Sequence, residues 1–137
     1  MHFRPILAII AFLFSGAVLA DFDRGLAAYR MGDYDQAFEQ FRLDAVDGHA
    51  SAQYNLGVMY YRGEGVKKDV VRAWAWMILA TQHRSDVELE QAVDLLAITM
   101  SPADRERGLQ AAARLARQYD LKYRPIVESQ ATRIAGN

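Results

Sequence analysis

Ala52-Gln53-Tyr54-Asn55-Leu56-Gly57-Val58-Met59-Tyr60-Tyr61-Arg62-Gly63-Glu64-Gly65-Val66 is the stretch on which the fold turns. Leu56 and Tyr60 stand four residues apart, so a helix puts them on one face. Ala52 and Gly57 keep that helix slim, and a second helix can come close. Gly63 and Gly65 then break it, where the backbone needs angles that a Cβ resists. Asp69 follows as a cap for the next helix, its carboxylate placed to accept from free backbone N–H groups. In that helix Ala73, Trp76 and Ala80 are spaced by three and four and form the stripe facing Leu56 and Tyr60. Helix, glycine turn and returning helix make one hairpin.

The same arrangement occurs upstream. Gly25-Leu26-x-x-Tyr29-Arg30 returns as Gly57-Val58-x-x-Tyr61-Arg62, thirty-two residues on. Past the turn, Ala37 corresponds to Ala73, thirty-six residues on, so the second unit has four more residues in its loop. A period of this size signals stacked helical hairpins. One hairpin cannot bury its apolar face alone, so its neighbours must cover it. The pattern predicts helices over 22–31, 34–47, 50–62, 69–82, 86–99 and 102–118. Gly32-Asp33, Asp47-Gly48 and Gly63-x-Gly65 supply breaks. Ser101-Pro102 is an N-cap followed by a proline that fits the first helical position.

These residues carry a family resemblance. Residues 25–45, with Gly25, Gly32-Asp33-Tyr34 and Ala37, resemble a tetratricopeptide repeat. The stretch from Ala52 to Val66, continued by Asp69, Ala73, Trp76 and Ala80, resembles a complete Sel1-like repeat. Residues 86–118 are similar to the degenerate pair that closes such arrays, with Met100-Ser101-Pro102-Ala103-Asp104 opening the last helix. They lack the Leu-Gly and Gly-x-Gly landmarks. The resemblance implies an all-α fold, a short α-solenoid of about three stacked antiparallel helix pairs. It also implies a scaffold that binds proteins and catalyses nothing. The expected division is 1–20, a cleaved signal peptide; 21–48, 49–84 and 85–118, the three pairs; and 119–137, a partly disordered tail.

The signal rests on Arg4, the apolar run Ile6 to Phe14, and the small residues Val18 and Ala20 before Asp21. The run is shorter than the roughly 20 apolar residues of a spanning helix, and Ser15-Gly16 interrupts it. A periplasmic or secreted protein is expected, free of the membrane once cleaved. An uncleaved anchor would instead make a membrane-tethered scaffold. Removing Arg4 with the signal leaves fifteen basic and seventeen acidic residues, a balance that speaks against a nucleic-acid partner. There is no cysteine, so the domain relies on its core alone and a lipid-modified cysteine is excluded.

Little in the chain points to chemistry. His49 and His83 each lie near a helix end without a partner at metal-ligand spacing, and no metal or cofactor is expected. Glu90 and Asp94, with Glu88 beside them, could bind a cation, but a solvated helix face explains them better. Arg105, Arg107, Arg114 and Arg117 read as surface charges with acids nearby. Gly63-Glu64-Gly65-Val66 lacks the strand that a dinucleotide site needs. An envelope hydrolase or cell-wall-binding accessory protein would need groups that the sequence does not supply.

One constellation suggests binding. Tyr29 and Arg30 occupy places equivalent to Tyr61 and Arg62, and Tyr54 shares a face with Tyr61. Tyr and Arg are enriched at interface hot spots. A concave Tyr29, Arg30, Tyr54, Tyr61, Arg62 surface for a protein or peptide is one reading; aromatic filling of the seam between repeats is the other.

Overall fold

A computed structural model describes residues 20–125. The expected signal up to residue 19 and the tail from residue 126 lie outside the described residues. Six helices run in chain order: α1 Ala20–Arg30, α2 Tyr34–Val46, α3 Ala50–Arg62, α4 Val70–His83, α5 Val87–Thr99 and α6 Pro102–Gln118. All lie within two residues of the boundaries read from the sequence. Among the described residues there is no strand. The fold is all-α, an array of stacked helix pairs.

Local chemistry sets the boundaries. Asp33 accepts from the Gln36 N–H, and Asp69 accepts from the Arg72 N–H at 2.9 Å. Asp86 accepts from the N–H groups of Glu88 and Leu89. Ser101 accepts from the Asp104 N–H, with Pro102 opening the helix. Each cap satisfies donors that the first turn leaves free. His49 does the same for α3, its Nδ1 accepting from the Ala52 N–H. Gly63 ends α3 in the left-handed region at φ 72°, where a side chain would strain the backbone.

The helices pack α1 on α2, α2 on α3 and α3 on α4, and α4 also carries α5 and α6. α4 is therefore the shared wall, and its residues Ala73 to Ala80 are all buried. Gly57 lets α3 approach it. A Cβ there would lie 2.7 Å from Met77 Cγ and 2.9 Å from the Ala73 carbonyl oxygen. Gln53, also wholly buried, donates from Nε2 to the Ala45 carbonyl and ties the end of α2 to α3.

The last pair is held differently. α6 packs on α4 more than on α5. The Trp74 indole sits among the three helices, its Nε1 donating to the Val93 carbonyl of α5 at 3.0 Å. On the other side it lies against Gly108 of α6, where a Cβ would come 2.5 Å from its ring. Trp74 thus holds α5 and α6 while keeping them apart. Arg105 Nη1 donates to the carbonyls of Ala97 and Met100 and closes the end of α5. Beyond α6 the chain follows α4. Tyr119 stacks on Trp76, and the Arg124 N–H donates to Gln82 Oε1.

Candidate functional site

The five residues singled out as a binding surface fall into separate settings. Tyr29 and Arg62 meet directly. The Tyr29 hydroxyl donates to Glu64 Oε2 at 2.7 Å and accepts from Arg62 Nη1 at 2.9 Å. The Glu64 bond raises the Tyr29 pKa above the usual phenol range; burial adds to this and Arg62 opposes it. The Tyr34 ring stands edge-on to Tyr29, with centroids 5.2 Å apart. These contacts tie α1 and the start of α2 to the α3–α4 turn. Gly65 fits the same junction at φ 68°, where a Cβ would strike the Tyr34 backbone.

Tyr61, Arg30 and Tyr54 stand apart from that cluster. Tyr61 is 43% exposed, with Lys68 Nζ 5.4 Å from its ring centroid. Arg30 is exposed at the end of α1. Tyr54 is half-buried and lines a cleft of about 260 Å³ between α3 and the start of α5. Ser51, Asn55 and Leu89 share its walls, with Arg84 and Asp86 paired at the mouth.

The repeat-signature residues are occupied by packing and turns. Ala52, Leu56, Tyr60, Ala73, Trp76 and Ala80 are buried, and Gly63 and Gly65 take positive φ. His83 Nδ1 lies 3.0 Å from the Leu79 carbonyl. Glu88, Glu90 and Asp94 share α5. Among the described residues no three His, Cys, Asp or Glu side chains converge as a metal site would require. No helix of the described residues is long and apolar enough to cross a membrane.

A second cavity, of about 330 Å³, escaped the sequence reading. It lies between α2 and α6 over α4, with Arg42, Arg72 and Arg114 around a floor that includes Trp76 and Leu115. Its residues come from four separate stretches of chain, on α2, α3, α4 and α6. The one local signal was Arg114, which has no acidic residue three or four positions away on α6.

This geometry, helical hairpins stacked about a shared wall, defines an α-solenoid repeat protein. Residues 50–84, the α3–α4 hairpin, match the Sel1 repeat, so the chain contains one such repeat. A sel1-like repeat-containing protein of Acanthamoeba polyphaga mimivirus is 49% identical over 39 residues, 28% of this chain and 7% of that protein. The alginate biosynthesis protein AlgK of Azotobacter vinelandii is 32% identical over 88 residues, 60% of this chain and 19% of that protein. An ERAD-associated E3 ubiquitin-protein ligase component of Arabidopsis thaliana is 49% identical over 41 residues, 30% of this chain and 7% of that protein. The chain thus spans less than a fifth of the length of these relatives. No solved structure matches it. Sel1 repeats are generally protein–protein interaction modules.

Proposed function

We propose that this protein is a non-enzymatic, exported scaffold that binds a protein or peptide along its first helices. The Tyr54 cleft between α3 and α5 carries the reading, because it offers an aromatic wall beside open space. Tyr61 extends the contact along α3, and Arg30 adds a charge at the end of α1. Tyr29 and Arg62 contribute by holding the neighbouring pairs in register. Export rests on the charged, apolar and small-residue order of positions 1–20. The adaptor role is supported by the Sel1 repeat itself and by a relative named as a ligase component. Retention of the N-terminal segment would make the same scaffold membrane-tethered.

The test is a pull-down from envelope extract of the source cell, followed by a titration of whatever is retained. Tyr54→Ala/Tyr61→Ala should weaken binding by about tenfold or more, as loss of a hot-spot aromatic does. The half-buried Tyr54 packs on the core, so the variant should lose about 0.5–3 kcal/mol of stability and still melt as a folded protein. Equal retention by both proteins would move the site off this face. No retained partner would remove the adaptor reading.

A further inference from the structure

Two surfaces remain without a role, and they complement one another. The first is the outer face of α5. Leu89, Val93, Leu96 and Ala97 turn inward and are buried. On the opposite side Val87, Leu95 and Ile98 are 69%, 66% and 64% exposed. An ordinary amphipathic helix places polar residues there. Acidic groups flank this apolar strip, since Glu88, Glu90 and Asp94 are also exposed on α5. The face is therefore apolar at Val87, Leu95 and Ile98, crossed at its middle by the exposed Gln91, and negative at Glu88, Glu90 and Asp94.

The second surface is the groove between α2 and α6. Its lining includes Arg42, Arg72 and Arg114 and no acidic residue. Arg42 is held by Glu39 and Arg72 by Asp69, each pair within one helical turn and largely exposed. Such exposed pairs are worth at most about 1 kcal/mol, so an incoming carboxylate can exchange with them. Arg114 has no acid within reach along its own helix. Between the arginines the floor is apolar, with Val46, Ala111 and Leu115.

We propose that one copy of the chain docks on another head to tail, the outer face of α5 seating in the arginine groove of the next copy. Val87, Leu95 and Ile98 lie toward the apolar floor, and Glu90 and Asp94 meet Arg114 and Arg42. A polysaccharide fits the groove less well, because Trp76 and Tyr60 expose only 4% and 9% and offer no open ring face for stacking. The two faces differ, so the contact is heterologous and repeats from copy to copy instead of closing as a two-fold dimer. One helix face is small beside the roughly 1,200–2,000 Å² of a stable interface. The association is accordingly weak, with a Kd of about tens to hundreds of micromolar.

Sedimentation of the full chain, with the N-terminus that expression leaves, tests this. The wild type should grow in mass with concentration past the dimer. Raising salt from about 0.05 to 1 M should reverse the growth, as screening shortens toward about 3 Å. Arg42→Glu/Arg114→Glu and Glu90→Arg/Asp94→Arg should each weaken association by about tenfold or more. Both sets of positions are surface residues, and circular dichroism checks that each variant folds. The uncharged variant Leu95→Gln/Ile98→Gln should dissociate too. An equimolar mixture of the two charge variants should associate again, because the native α5 of one meets the native groove of the other. A wild type that stays monomeric would overturn the proposal. So would a groove variant that still associates, or a mixture that does not.

Discussion

The second and third helix pairs solve one packing problem in opposite ways. In α3–α4 the helices touch along small residues, with Gly57 against Ala73 and Met77. In α5–α6 a large residue from outside the pair, Trp74, occupies the middle, and each helix rests on α4. A matched repeat brings its own closure. A divergent one can be closed by its neighbour, leaving α5 with exposed Val87, Leu95 and Ile98. The degeneracy of the third pair's sequence thus has a structural counterpart.

Removing the wedge should have the largest effect. Trp74→Ala deletes a buried indole and leaves the Val93 carbonyl without that donor, a loss of about 3–5 kcal/mol. Urea unfolding should show it as a fall in midpoint, with α5 losing amide protection more than α3. A fall of less than about 1 kcal/mol would mean that α5 and α6 close on each other without Trp74. A smaller effect is expected from Gly57→Ala in the other pair. The added methyl meets a backbone oxygen that cannot swing away, costing about 1–3 kcal/mol, against up to about 1 kcal/mol gained in helix propensity. A stabilised variant in thermal melts would show that the α3–α4 contact has slack.

Acid should produce the smallest effect, and chiefly on the third pair. The N–H groups of Leu89 and Glu88, with Arg84, hold the Asp86 carboxyl below its usual range. Arg107 and the Ser101 hydroxyl do the same for Asp104. Carboxyls with lowered folded pKa values contribute stability above their unfolded pKa of about 3.9 and lose it as pH falls through the folded value. Hydrogen exchange below about pH 4 should therefore loosen the starts of α5 and α6. Equal loosening of α3 would erase the contrast between the pairs.

The fold was legible where chemistry is local. Asp33, Asp69 and Ser101-Pro102 mark helix starts within a few residues of their partners, and Gly63 marks an end. Trp74 was not legible for a physical reason. It lies in a run buried on every side, from Ala73 to Ala80, so periodicity singles out no face. Trp76 fits the three-and-four spacing with Ala73 and Ala80, and Trp74 does not. The candidate site was legible in composition and not in arrangement. The repeat offset paired Tyr29 with Tyr61 as equivalents, whereas folding brings Tyr29 to Arg62 and Glu64. The arginine groove draws on α2, α3, α4 and α6, and no window along the chain contains it.

The burial of α4 on all sides bears on how the molecule comes apart. Long repeat arrays fray unit by unit from their ends, because each unit leans only on the next. Here α4 supports α3, α5 and α6 together, and through α3 it also supports the first pair. The third pair cannot peel away without uncovering the central rod, whereas the first pair leans on α3. The described helices from α3 to α6 thus come apart around one shared rod and not link by link.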